Sequence, residues 1–246
     1  MRFIYALLLA LVCTLALYNT FTLLTIKEHS EKEIVVIERV IDGDTFKTTD
    51  GRTVRLVNIN TPEKESPLSL EAISYMKKYE GTEVMIEILG TDKYHRLLAR
   101  IYVGKNYLNL DLVQQGLASI FLVQEEERKE FARAEQQAVD ASKGIWKKSP
   151  FFGCIALAID EKKEAIQITC TCYADTINGW YLKDESRKTY KFKGLCRNTT
   201  LWSESAQDAT DLSWGVGNVW NNDRDTAYLF TDQHELVARS SYGYLH

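Results

Sequence analysis

The sequence predicts a mainly β protein with helices, in three parts: an N-terminal hydrophobic helix within residues 1–32, a five-stranded barrel with three helices over 33–148, and a β-sandwich over 151–246. Three observations predict it. From Phe3 to Ile26 no residue is charged; from Ile34 onward, β-branched runs separated by Asp-Gly pairs give way to helical spacing; after Phe151 that spacing disappears and short strands alternate with polar turns. The 246 residues, 45% hydrophobic and 26% charged, exclude a disordered or collagen-like chain. A net charge of −4 excludes a protein that coats nucleic acid by bulk charge, so any phosphate chemistry must be local.

The first segment centres on Leu7-Leu8-Leu9-Ala10-Leu11-Val12. Its uncharged run exceeds the roughly 20 apolar residues that cross a bilayer as a helix. Arg2 precedes it, a weak inside-positive signal that places the rest of the chain outside the cytoplasm. The alternative is a cleaved signal peptide with Thr14 and Ala16 at the cleavage site; Phe21-Thr22-Leu23-Leu24 continues the apolar run past that site and favours the anchor. Both readings export the protein, to the cell membrane as a single-pass protein with its C-terminus outside, or in secreted form.

In the middle segment, Ile34 to Ile41 ends at Asp42-Gly43, Thr45 to Thr48 ends at Asp50-Gly51, and Thr53 to Ile59 makes a third strand. Asp-Gly between such runs is a hairpin signal. Pro62 stops the pattern, and Leu68 to Tyr79 has helical spacing through Leu70, Ile73 and Met76 or Lys77, ending near Gly81. Strands follow over Glu83–Leu89 and Arg96–Val103, then helices around Leu110–Ala118 and Glu126–Lys143. The last carries an apolar stripe of Phe131, Ala134, Ala138 and Ala141, with Gly144 as the expected C-cap. Three strands, a helix, two strands and trailing helices is the order of an OB-fold barrel.

Several polar residues are not needed by such a barrel. Asp42, Asp44, Asn60 and Glu63 bring side-chain oxygens to two strand ends, and Arg55 and Arg96 lie on separate strands. Hard cations such as Ca²⁺ take carboxylate, amide and carbonyl oxygens, so a site shared by Asp44 and the Asn60-Thr61 turn is chemically sensible. A metal beside two guanidiniums suits phosphodiester cleavage, where negative charge grows on phosphoryl oxygens. Taken alone, the same residues also read as a hairpin turn and solvated surface arginines.

The combination resembles the staphylococcal nuclease (thermonuclease) family. The matching stretches are Val40-Ile41-Asp42-Gly43-Asp44-Thr45, Val54 to Glu63, Asp92-Lys93-Tyr94-His95-Arg96-Leu97-Leu98-Ala99, Leu112 to Ala118, and Ala134 to Trp146. The resemblance implies an endonuclease that hydrolyses DNA and RNA with Ca²⁺. It implies that Asp44 binds the metal directly and that the Thr61 carbonyl is another ligand. Glu63 positions or deprotonates the attacking water, Arg55 grips the phosphate, and Arg96 offsets charge on the phosphoryl group or leaving oxygen. Asp42 is a supporting carboxylate, and Lys93 and Tyr94 meet the nucleotide. Asn60 stands where the family usually has an aspartate ligand, which predicts weaker Ca²⁺ binding, towards the millimolar range. Leu122 stands where some members place a nucleotide-contacting tyrosine, and His95 where a small residue is common.

In the last segment, Trp180-Tyr181-Leu182, Thr189 to Phe192, Thr226 to Phe230 and Leu236-Val237-Ala238 read as short strands of a sandwich, with Trp180, Trp214 and Trp220 as core. Asn178-Gly179-Trp180-Tyr181-Leu182-Lys183-Asp184, Val219 to Leu229 and Ser241-Tyr242 resemble a lamin-tail domain, which implies an immunoglobulin-like fold that attaches the protein or recruits substrate through a ligand of its own. Cys154, Cys170, Cys172 and Cys196 cluster here, as disulfides in an oxidising compartment would. Alternation over Ala165–Cys172 puts Cys170 and Cys172 on one strand face, poorly placed to bond each other, and leaves each to seek Cys154 or Cys196.

Three readings follow: a membrane-anchored or secreted calcium-dependent nuclease acting as a monomer, an inactive OB-fold barrel that only binds single-stranded nucleic acid, and a cell-envelope interaction protein acting through its C-terminal module.

Overall fold

The computed structural model describes residues 14, 31–64, 66–171 and 176–244. The expected N-terminal anchor lies outside the described residues apart from Thr14, and among the described residues no helix is long and apolar enough to cross a membrane.

The barrel is built from β1 (Glu31–Asp42), β2 (Thr45–Thr48), β3 (Thr53–Leu56), β5 (Glu83–Thr91) and β6 (Leu97–Val103). These pair in the order β3-β2-β1-β5-β6, and parallel pairing of β3 with β6, Arg55 opposite Leu98, closes the ring. Closure leaves no free edge among these five strands. The Asp-Gly signal is correct: Asp42 pairs with Thr45 across the two-residue loop Gly43-Asp44. A Cβ on Gly43 would lie 2.6 Å from the Ala72 Cβ and 2.8 Å from Thr61 Oγ1, so glycine lets the hairpin touch both.

The third strand is shorter than expected. It ends at Leu56, the chain turns at Asn58 (φ 68°), and β4 (Ile59–Asn60) pairs instead with β8 (Ser119–Ile120). Asn tolerates this left-handed conformation better than most residues. Helix α1 (Ser69–Lys77) buries Ser69, Ala72 and Met76, not Leu70, which is 65% exposed. After β7 (Asn106–Tyr107), α2 covers Leu108–Gln114, so Ala118 lies beyond it. Helix α3 (Arg128–Asp140) buries Phe131, Ala134, Glu135, Ala138 and Val139, while Ala141 is exposed. Gly144 is not a helix cap. A Cβ there would stand 2.3 Å from the Gly116 carbonyl oxygen, so two glycines let the α2 and α3 exits meet back to back.

The C-terminal β-region has two four-stranded sheets. One runs β14 (Leu212–Ser213), β13 (Thr199–Trp202), β10 (Ala165–Cys170), β9 (Ile155–Asp160); the other runs β12 (Thr189–Lys191), β11 (Tyr181–Lys183), β15 (Asp225–Phe230), β16 (Leu236–Tyr242). Ile166, Ile168 and Leu201 of the first join Leu182, Leu229 and Val237 of the second in one cluster with buried Trp180 and Trp220. Partly buried Trp214 packs against it. Cys170 is bonded to Cys196 with a Cα–Cα distance of 6.1 Å, one of the expected pairings. Cys154 is also disulfide-bonded, and Cys172 lies outside the described residues.

A third apolar cluster fastens this region to the barrel. Trp146, fully buried, stacks on Tyr228 (5.1 Å between centroids) and Phe230 (6.3 Å), with Ala138, Val139 and Leu236 around it. Beside it Arg239 Nη2 lies 2.6 Å from Glu135 Oε2 and its Nε 3.1 Å, while Tyr228 Oη and the Ile120 N–H donate to Glu135 Oε1. A fully buried carboxylate is held here because every oxygen finds a donor.

Candidate functional site

One cleft of about 860 Å³ at the barrel mouth gathers Asp42, Asp44, Arg55, Asn60, Glu63, Lys93, Tyr94 and Arg96, eight of the nine residues expected to act on substrate or metal. Thr61, the ninth, sits beside it, with its N–H (2.9 Å) and Oγ1 (3.1 Å) both donating to Asp44 Oδ2. Hairpin β1–β2 supplies the aspartates, β3 supplies Arg55, the start of the loop after β4 supplies Thr61 and Glu63, and the β5–β6 turn supplies Lys93 to Arg96.

Asp44 is buried, and Arg55 Nη2 lies 3.3 Å from its Oδ2. Burial alone would raise its pKa, but the Arg55 charge, the Thr61 N–H and the Arg187 charge outweigh it and hold the carboxyl below the usual range. Asp42 accepts from the Asp44 N–H at 3.0 Å, closing the turn. Burial, then the neighbouring Asp44 charge, pushes Asp42 up to about 6.

Arg55 donates Nη1 to the Leu56 carbonyl and Nη2 to the Ile59 carbonyl (2.8 Å) and Asn60 Oδ1 (2.6 Å). Three of its five N–H groups therefore pin the side chain to the barrel, leaving two to meet a phosphate. Arg96 is held from below by Asp92, whose Oδ2 takes Nε at 2.8 Å and Nη2 at 2.7 Å. Asp92 also accepts the Tyr94 and Arg96 backbone N–H groups through Oδ1, so one side chain shapes the turn and aims the guanidinium. Tyr94 is 66% exposed, with Lys93 Nζ 5.0 Å and the Arg96 guanidinium 5.4 Å from its ring centroid. His95 has φ 62°, the left-handed turn position, which explains why a small residue suits it. Leu122 is exposed on the cleft wall.

Sequence reasoning missed Arg187. It lies in the β11–β12 turn of the C-terminal β-region and reaches across to the barrel: Nη2 donates to Asp44 Oδ2 (3.3 Å) and Asn60 Oδ1 (3.1 Å), and Nη1 donates to Glu63 Oε1. Asn60 Nδ2 in turn donates to the Glu185 carbonyl at 2.7 Å. Arg187 adopts φ 74°, a conformation that disfavours any side chain with a Cβ, so the turn itself gives no reason for arginine. The sequence carries no signal for it. Asp92 left one, a carboxylate four residues before an arginine in a tight turn.

Among the described residues no three histidine, cysteine or carboxylate side chains are grouped to hold a metal ion. The oxygens gathered here are mixed: the carboxylates of Asp44 and Glu63 and the Asn60 amide oxygen. The side-chain oxygens of Asp44, Asn60 and Glu63 converge on one cation already, the Arg187 guanidinium, so they fit a hard cation at that place.

A closed barrel with two anchored arginines and convergent oxygen donors at one mouth is the architecture of the nuclease barrels. The staphylococcal nuclease homologue family matches residues 53–148. The chain is 33% identical over 159 residues to the SPbeta prophage-derived endonuclease YokF of Bacillus subtilis (56% of this chain, 52% of that protein) and 34% identical over 143 residues to endonuclease YncB of the same organism (49% and 68%). An uncharacterized endonuclease of Haemophilus influenzae is 30% identical over 126 residues (47% and 67%). The alignments span about half the length of YokF and two thirds of the other two. This chain belongs to the staphylococcal nuclease family.

Proposed function

We propose that the protein is a calcium-dependent endonuclease that hydrolyses phosphodiester bonds of DNA, RNA or both. The observation that carries this is the convergence of Asp44, Asn60 and Glu63 with Arg55 and Arg96 in one cleft, with Thr61 hydrogen-bonded to Asp44 beside it. Asp44, Asn60 Oδ1 and the Thr61 carbonyl would hold Ca²⁺. The bound ion supplies charge neutralisation at the phosphoryl oxygens as they become more negative. Glu63, whose side chain is 61% exposed, reaches into the cleft to accept a proton from the attacking water. An N–H group of Arg55 left free by the barrel binds a phosphate oxygen, and Arg96, aimed by Asp92, balances the charge that develops on the leaving oxygen. Lys93 and Tyr94 hold the flanking nucleotide.

The proposal extends to the rest of the chain. Residues 1–32 export the protein and, uncleaved, anchor it in the membrane. Residues 33–148 are the nuclease domain, and 151–246 form an immunoglobulin-like, lamin-tail-like module that acts as a monomer's second unit. The test is a calcium titration of the full chain on single- and double-stranded DNA and on RNA. Cleavage at millimolar Ca²⁺ that stops on chelation is expected, with Arg96→Ala slower by roughly 10²–10³-fold. Strand binding without cleavage at any calcium concentration would establish the binding-only barrel instead, the reading that Asn60 and the Arg187 contacts favour.

A further inference from the structure

The catalytic cleft has a neighbour. A cavity of about 450 Å³ lies between the barrel and the C-terminal β-region, and Asn60, Glu63 and Arg187 line both spaces. The far wall of the second cavity is one face of the β11–β12 hairpin. Tyr181 pairs with Lys191 and Lys183 with Thr189, so period-two alternation puts all four side chains on the same side. Leu182 and Tyr190, between them, turn the other way into the core. Strand β12 is the sheet edge, which leaves Lys191 exposed at the cavity rim.

The wall is chemically uneven. Among the described residues neither Lys183 nor Lys191 is within ion-pair distance of a carboxylate. The Lys183 Nζ instead lies 5.3 Å from the Phe230 ring centroid and 5.5 Å from that of Tyr228. Burial, and then the Arg187 charge, pushes the Lys183 ammonium down to about 8, against the more distant carboxylates of Glu135, Asp184 and Glu63, which act the other way. Two acids also face this space: Glu63 is tied to Arg187, and Asp232 is exposed. Half-buried Tyr181, stacked on the buried Phe230 at 5.3 Å, gives an apolar surface beside the two ammonium groups. Paired cations next to aromatic faces suit a single nucleic-acid strand.

We propose that this cavity is a second segment of the nucleic-acid path, in which the strand leaves the Arg55–Arg96 cleft past Arg187 and sets a phosphate against Lys183 and Lys191. The inference rests on the proposed nuclease reading, because it takes the substrate to be nucleic acid. It makes the C-terminal β-region part of the substrate site, and it predicts that substrate length, not only the scissile linkage, controls affinity.

The test is binding of labelled single-stranded oligonucleotides of 3 and 16 nucleotides to the full chain in chelator, where no cleavage occurs, as a function of salt. For the 16-mer, Lys191→Ala is expected to weaken binding roughly 5-fold and to reduce the salt slope by about 0.7, and Lys183→Met with Lys191→Ala to reduce it by about 1.4. The 3-mer should bind all forms alike. Because Lys191 is exposed, its substitution leaves the fold intact; an unchanged 16-mer affinity and slope in Lys191→Ala would overturn the proposal. Loss of inorganic phosphate binding with 16-mer affinity intact would assign the cavity to a free phosphate and also overturn it. A wild-type chain that cleaves normally while showing no lysine dependence refutes this path alone. A chain that never cleaves, yet binds the 16-mer through these lysines, refutes the hydrolytic reading and leaves the path standing.

Discussion

Replacing Arg187 with glycine should tighten calcium binding. Arg187 Nη2 lies 3.3 Å from Asp44 Oδ2 and 3.1 Å from Asn60 Oδ1, and Nη1 engages Glu63, so a metal ion must displace the guanidinium to reach the same oxygens. At an effective dielectric of about 20, a pair of unit charges 3.3 Å apart is worth about 5 kcal/mol before solvation. Water regained by a side chain that is already 30% exposed, and the rotamer freedom released, cancel most of this. A net cost of about 1–2 kcal/mol remains, which is roughly a 5- to 30-fold change in dissociation constant. Glycine also suits the φ of 74°, so the variant should not lose the turn. Calorimetric titration of the full chain with CaCl₂, without nucleic acid, measures the constant directly. An Arg187→Gly protein that binds Ca²⁺ no more tightly than wild type would refute the competition, and weaker binding would make Arg187 a support of the site.

Three further outcomes are expected. Arg239→Met strands the fully buried Glu135 carboxylate and should cost about 3–5 kcal/mol in urea unfolding, whereas the double change with Glu135→Leu should recover much of it; a single-variant loss under about 1 kcal/mol would contradict the buried pair. Asn60→Asp removes the N–H that meets the Glu185 carbonyl and should destabilise the calcium-free protein by about 1–3 kcal/mol while raising calcium affinity, read by unfolding in chelator and by calorimetry. Burial pushes Asp225 up to about 6 from 3.8, so between those values the folded chain keeps a proton that the unfolded chain has lost, and stability falls as pH rises through that window. Asp225→Asn lacks this dependence, so wild-type stability relative to the variant should be about 2 kcal/mol more favourable at pH 4 than at pH 7. A difference constant with pH would reject it.

The parts of the site legible in the sequence are those whose logic is local. Asp42-Gly43-Asp44 announces its hairpin by spacing, and Asn60 to Glu63 follow a strand end, so their convergence needs only the barrel order. The barrel order was legible for the same reason, since period-two runs and Asp-Gly turns are short-range signals. The face of α1 was not. Leu70 and Ile73 carry the larger apolar area, but Ala72 and Met76 point inward because the helix must sit close enough for Ala72 to reach Gly43. Glu135 and Arg187 were invisible for a different reason. Their partners lie 104 and 143 residues away, on the other side of the joint between barrel and β-region, and no periodicity encodes such a pair.

Asn60 joins the legible and illegible parts. The resemblance to the staphylococcal nuclease family leads to the expectation that Asn60 is a lost ligand charge; in the fold it is a docking residue, donating to the Glu185 carbonyl. Its amide must both offer an oxygen to Arg55 and Arg187 and donate a proton to the Glu185 carbonyl, and an ionised aspartate can only accept. The β11–β12 turn therefore gives Asn60 a partner that an aspartate could not satisfy, and it brings Arg187 onto the same oxygens that the proposed calcium site would use. If calcium binds there, its affinity and the seating of the β-region on the barrel are coupled through the same turn, and linkage makes that coupling reciprocal. On the proposed calcium reading, whatever loosens the turn should strengthen calcium binding, and calcium should loosen the turn by the same free energy.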